Sequence, residues 1–219
     1  MIHRPSPNHG PRLSDTIDML VIHYTGMQSA QAALDRLCDE TAQVSAHYLI
    51  DEDGTLYTLV AEQRRAWHAG LSFWRGETDI NSRSIGIELV NPGHEFGYRP
   101  FPDAQIAALT TLGVQIVARH PIPPRNVVGH SDIAPFRKQD PGELFPWQTL
   151  AGQGLGVWPT SAGIDDGPIM DALSRWGYDI SNPQAAISAF QRHFRPSKID
   201  GMSDPETAQL SNALLTLSA

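Results

Sequence analysis

IDMLVIHYT, residues 17 to 25, is apolar, rich in β-branched side chains and too short for a typical helix, so it predicts a buried strand ending in the turn Thr25-Gly26. His23 then stands near the end of a strand, where loops collect. A second run of the same kind, SIGIELV at residues 84 to 90, is closed by Asn91-Pro92-Gly93. It carries one carboxylate, Glu88. Alternation turns Glu88 away from Ile87 and Leu89, toward a cleft or toward a solvated outer face of the sheet, and both readings stand at this level.

Working outward, Ala33, Leu34 and Leu37 recur at helical spacing within residues 30 to 38, and the segments 47 to 50 and 55 to 60 flank Asp51-Glu52-Asp53-Gly54 as a hairpin. From Asp103 to His120 the residues Ile106, Leu109, Leu112, Gly113, Ile116 and Val117 form one face of an amphipathic helix, which Pro121, Pro123 and Pro124 end. This helix should cover one face of the sheet. Asn126 to Gly129 is a last short strand leading into His130, and Ser131 to Gly142 has no periodicity and reads as a structured loop.

Glycine and proline are dense between Pro141 and Pro168, with room for one short helix near Leu144 to Leu150, so the domain boundary falls there. Asn182-Pro183 and Asp204-Pro205 each read as an N-cap followed by proline in the first helical position. Ile187, Phe190 and Phe194, and then Leu210, Leu214 and Leu217, repeat at helical spacing. With a helix near Ile169 to Trp176, the expected organisation is an α/β domain over 1–152, a linker over 153–166 and a small all-α, three-helix domain over 167–219.

The chain has 219 residues, with 16 basic against 24 acidic side chains and a net charge of −8, which argues against a general nucleic-acid binder. No apolar run approaches the roughly 20 residues of a membrane span. Residues 1 to 15 contain Pro5, Pro7 and Pro11 and no apolar core of signal-peptide length, and Cys38 is the single cysteine, so no intramolecular disulfide is possible. These features favour a cytoplasmic location; a periplasmic or outer-membrane-associated one would need a signal that had been removed. Nothing in the pattern predicts an oligomeric state.

Zinc is commonly held by imidazole nitrogens and carboxylate oxygens, with one position left for water in a hydrolytic site. Nine histidines are present, but none form a His-Glu-x-x-His pair, so spacing alone selects no ligand set. His23 and His130 rank highest because each ends an apolar strand, and Asp140 lies on the polar loop ten residues after His130. The competing readings are a hydrogen-bonded core histidine and an Asp-Pro turn. Lys138 would present an ammonium to developing negative charge, or be an ordinary surface charge. Trp67-His68-Ala69-Gly70, with Phe73 and Trp74, reads as a sugar- or peptide-binding wall or as core packing. Cys38 reads as a small buried hydrophobe.

Six ordered segments, DMLVIHYTG (18–26), SAHYLI (45–50), RAWHAG (65–70), Asn81 with SIGIEL (84–89), VGHSD (128–132) and KQDPG (138–142), together resemble the zinc-dependent N-acetylmuramoyl-L-alanine amidases of the type 2 family, related in fold to peptidoglycan recognition proteins. The resemblance covers about residues 5 to 150 and implies a mixed central sheet flanked by helices. By position it implies one zinc per chain on His23, His130 and Asp140, with Glu88 as general base and Lys138 as transition-state stabiliser. It places Asn81, Trp67 and His68 near the substrate groove, with His47 and Tyr24 in supporting roles. The bond cut would join the lactyl group of N-acetylmuramic acid to L-alanine of the stem peptide, in muropeptides or in polymeric peptidoglycan, for cell-wall turnover or recycling. AFQRH (189–193), IDG (199–201) and DPET (204–207) resemble a peptidoglycan-binding helical domain, with a departure at Arg195-Pro196-Ser197-Lys198. The alternative, a non-catalytic peptidoglycan-binding module, fits less well because every metal-ligand position, Glu88 and Lys138 are filled.

Overall fold

In the computed structural model, which describes residues 1–160 and 167–217, the two apolar runs become neighbouring strands. The strands are β1 (Ile2–His3), β2 (His9–Pro11), β3 (Met19–Tyr24), β4 (Tyr48–Ile50), β5 (Leu56–Thr58), β6 (Arg64–Ala66), β7 (Ser84–Leu89) and β8 (Val127–Gly129). Six of them form a sheet in the order β1-β5-β4-β7-β3-β8. Only the β4–β5 hairpin is antiparallel within it, so the sheet is mixed. β2 and β6 pair antiparallel as a separate ribbon. These two and β1, each two or three residues long, are too short to show a period-2 pattern and were not legible in the sequence.

The helices are α1 (Ala30–Cys38), α2 (Ile80–Arg83), α3 (Gly93–Phe96), α4 (Asp103–Arg119), α5 (His130–Ile133), α6 (Trp147–Ala151), α7 (Ile169–Trp176), α8 (Pro183–Phe194) and α9 (Pro205–Thr216). Asn182 and Asp204 cap α8 and α9 as expected, accepting hydrogen bonds from Ala185 N and Thr207 N. Residues 131 to 142, read as a loop, begin instead inside the helical turn α5. Asp132, its third residue, accepts from Gly129 N at 2.7 Å and so caps a turn that has no apolar period to announce it. Residues 161–166 of the expected linker lie outside the described residues.

Alternation sends the two faces of the sheet to different partners. Leu20 and Ile22 of β3 and Ile85, Ile87 and Leu89 of β7 pack with Leu109, Leu112 and Ile116 of α4 and with Phe145 and Trp147. Met19 and Val21 face the other way, into a core shared with Trp74, Ile169, Leu173, Trp176, Phe190, Phe194 and Leu214. The C-terminal helices therefore form the second layer over the sheet. Each large aliphatic side chain fully buried in these layers contributes about 1.5–3 kcal/mol.

Asp132 is the polar pin of this junction. It is 1% exposed, accepts from the Tyr178 hydroxyl at 2.7 Å, and lies 2.7 Å from Nδ1 of His193, whose ring stacks on Trp147 at 3.9 Å. Asp132→Ala would strand three buried donors. It is expected to lower unfolding stability by about 3–5 kcal/mol, since each buried donor left without a partner costs about 1–3 kcal/mol. Urea denaturation checks this, and a loss below about 1 kcal/mol would mean that apolar packing alone holds the helices on the sheet.

Candidate active site

On β3 the residues Met19, Val21 and His23 point away from α4, and parallel register sets them beside Ser84, Gly86 and Glu88 of β7. His23 and Glu88 are thus direct cross-strand partners at the carboxyl ends of their strands, where α/β sheets place ligand sites. β8 pairs Ile22 with Gly129, so His130 emerges at the same level on the other side of β3. The chain then turns back, and a bond from Ser131 N to Asp140 O at 2.9 Å closes the loop that delivers the third side chain.

His23 Nδ1, His130 Nδ1 and Asp140 Oδ2 stand 3.0, 3.0 and 3.1 Å apart. All three residues are buried. Tetrahedral ligands at roughly 2.0–2.1 Å from zinc are about 3.3–3.4 Å apart, so the triangle is close to the required size. Its chemistry fits as well. His130 Nε2 lies 3.0 Å from the carbonyl of Ala69, which can only accept, so the ring's proton sits there. Nδ1 then carries a lone pair aimed at a carboxylate oxygen, an arrangement that repels unless a cation lies between them. These residues fit the zinc ion expected from the sequence.

Burial, and then the neighbouring His130, pushes the His23 pKa down to about 4, which leaves a neutral imidazole able to ligate. Burial alone would raise the Asp140 carboxyl, but His130 and His23 outweigh it and hold it far below the usual carboxylate range. Glu88 behaves oppositely: burial and the nearby Asp140 charge push it well above the usual range, with Lys138 opposing. Its Oε2 is shielded and has no hydrogen-bond partner.

The triad opens into a cavity of about 490 Å³ whose walls include Glu88, Lys138, Trp67, Tyr24 and His68. The Trp67 backbone is held by Ser45, whose hydroxyl accepts from Trp67 N at 2.9 Å. The Tyr24 hydroxyl lies 2.8 Å from His94 Nδ1 at the rim. His47 stays outside the triad: its Nδ1 accepts from Gly86 N at 2.9 Å, and its Nε2 meets the Arg64 carbonyl at 3.1 Å. Trp74 is a core residue, 1% exposed and edge-on to Tyr178.

Two expected substrate contacts are differently employed. Asn81 is 6% exposed and lies off the cavity wall; its Oδ1 accepts from the backbone N–H of His68 and Ala69 at 3.0 and 2.9 Å. His68 reaches the cavity floor, yet its ring nitrogens face His23 at 3.0 Å and Ser84 at 3.2 Å, leaving no ring nitrogen for substrate. Sequence reading missed His94, Arg36 and Arg137 on the walls. His94 and Arg137 stand in no pattern that would mark them, and Arg36 is an exposed polar position of helix α1, where apolar spacing carries no signal. Ser84, Gly86 and Glu88, all small or polar at period 2, were a readable sign that one face of β7 borders something other than core.

Residues 13–143 match the family model for N-acetylmuramoyl-L-alanine amidase. The chain is 44% identical over 230 residues to the N-acetylmuramoyl-L-alanine amidase AmiD of Escherichia coli, covering 91% of this chain and 82% of that protein. The structure of AmiD in complex with anhydro-N-acetylmuramic acid-L-Ala-D-γ-Glu-L-Lys superposes with a TM-score of 0.84, covering 98% of this chain and 93% of the other at 42% identity. AmpDh3 of Pseudomonas aeruginosa in complex with an anhydromuramic pentapeptide gives a TM-score of 0.78 at 35% identity, covering 96% and 94%. The 1,6-anhydro-N-acetylmuramyl-L-alanine amidase AmpD of Enterobacter cloacae is 35% identical but covers only 66% of this chain and 85% of its own length. With the sheet, the His-His-Asp centre and these likenesses in agreement, the chain belongs to the zinc-dependent N-acetylmuramoyl-L-alanine amidase family.

Proposed function

We propose that the protein hydrolyses the amide between the lactyl carbonyl of anhydro-N-acetylmuramic acid and L-alanine in soluble muropeptides, with His23, His130 and Asp140 holding zinc. The observation that carries this assignment is the convergence of two Nδ1 atoms and one carboxylate oxygen beside the unpartnered carboxyl of Glu88. Zinc, when bound, supplies Lewis acidity, lowering the pKa of a water toward about 7 and polarising a carbonyl. Glu88 takes the proton of the attacking water and passes it to the leaving nitrogen of L-alanine, a double duty suited to a carboxyl that burial raises above its usual range. Lys138 places its ammonium beside the oxygen that gains negative charge. Arg36 and Arg137 add positive charge to the cavity wall, which suits a stem peptide whose γ-linked glutamate keeps a free α-carboxylate.

Two features of the substrate and setting belong to the same proposal. The helices after residue 167 resemble a peptidoglycan-binding domain, but their apolar faces cover Met19 and Val21 of the sheet, a packing role that agrees with a soluble substrate. The single cysteine, Cys38, supports a cytoplasmic placement; cell fractionation tests it, and recovery in the periplasm or outer membrane would reverse it.

Mass spectrometry after incubation of zinc-loaded protein with a purified anhydromuropeptide and, separately, with intact sacculi tests the substrate. Stem peptide with a free L-alanine amine is expected from the anhydromuropeptide. Release from sacculi alone would make the polymer the substrate, and release from neither, with binding to sacculi, would favour the non-catalytic module.

A further inference from the structure

We infer that His68 and Ser84 form a hydrogen-bond relay that sets the tautomer of His23, so that both are positioning residues for the metal centre; this rests on the zinc reading above. The relay starts at a group of unambiguous polarity. The Ile80 carbonyl only accepts, and Ser84 Oγ donates to it at 2.7 Å. Having spent its single proton, Ser84 Oγ receives the Nε2 proton of His68 at 3.2 Å. With the His68 proton placed on Nε2, the imidazole presents its Nδ1 lone pair to the partner on its other side. The donor it faces is His23 Nε2 at 3.0 Å. A proton fixed on His23 Nε2 leaves the Nδ1 lone pair directed at His130 and Asp140.

His130 is treated the same way by the next residue in the chain, since the Ala69 carbonyl holds its Nε2 proton. One short segment, His68-Ala69, therefore orients both imidazole ligands. Asn81 clamps that segment by accepting from both of its backbone N–H groups. Gly86 makes room for it. A Cβ at Gly86 would stand 2.5–2.6 Å from the His68 ring, far inside contact distance, so the ring lies flat on β7 only because that position lacks a side chain. The small and polar face of β7, Ser84-Gly86-Glu88, thus serves the centre twice: Glu88 enters the cavity, while Ser84 and Gly86 seat the relay.

Orienting partners of this kind change metal affinity by about 10- to 100-fold when removed. Two measurements test the relay. The first is nitrogen-15 NMR of histidine-labelled, zinc-loaded protein, which reads each ring's protonated nitrogen and needs no variant. Protons on Nε2 of His23, His68 and His130 are expected. A His23 proton on Nδ1, or a His68 proton on Nδ1, overturns the relay. The second is zinc affinity by competition with a chelating dye for wild type, His68→Leu and Ser84→Ala. His68→Leu is expected to weaken zinc about 10- to 100-fold. Ser84→Ala, which removes one hydroxyl and little volume, is expected to give His68 in mixed tautomers. Unchanged zinc affinity in His68→Leu refutes the relay while leaving the ligand set intact. Failure of the wild-type protein to bind zinc would instead remove the ligand set, and the relay with it.

Discussion

Glu88→Gln is expected to keep one zinc per chain and to lower kcat by about 100- to 10,000-fold, the contribution typical of a positioned general acid–base. The substitution preserves the shape of the side chain and removes only its ability to take a proton. Glu88 stands outside the His-His-Asp triangle, which needs no fourth protein ligand. Its Oε2 is held without a partner on a buried wall, an arrangement that costs stability and is retained where the group has chemistry to perform. Metal content by elemental mass spectrometry, measured beside the rate of L-alanine amine release, separates the two effects. Loss of zinc in this variant would place Glu88 among the ligands, and unchanged turnover would strip it of the base role.

His130→Ala is expected to lose zinc and activity together, with residual turnover near background. The cause is geometric. Two remaining donors, His23 Nδ1 and Asp140 Oδ2, make an incomplete cap for a four-coordinate ion, and the Ala69 carbonyl keeps only the Arg137 guanidinium as a donor. The wild-type protein should in addition gain stability from metal, by about 2.7 kcal/mol at a zinc concentration one hundred times the dissociation constant. Thermal unfolding with and without a chelator reads this for both proteins. A zinc-loaded, active His130→Ala variant would rule out the ligand set.

The residues at the metal centre illustrate how far sequence carries. His23 and His130 were singled out because each closes an apolar strand, and the structure sets them side by side on β3 and after β8. Sequence alone leaves Glu88 between cleft and solvent because alternation gives direction relative to neighbours, not what lies in that direction; the pairing of β7 with β3 resolves it into the cavity wall. Asn81 and His68 were expected at the substrate. His68 does line the cavity, with both ring nitrogens engaged by protein, while Asn81 lies behind it on backbone N–H groups, since a motif position reports proximity to a site but not which atoms a side chain meets.

Local physics by itself determined the elements whose signals are periodic or stereochemical. The strands at β3 and β7, helix α4, and the proline-led, side-chain-capped starts of α8 and α9 follow from side-chain spacing and backbone stereochemistry within a few residues. Only the tertiary structure decided which polar groups converge. His23 meets His130 across 107 positions and Asp140 across 117, separations that no local pattern encodes. It likewise placed the C-terminal helices over Met19 and Val21, because an apolar sheet face must be covered and nothing local to a strand names the cover.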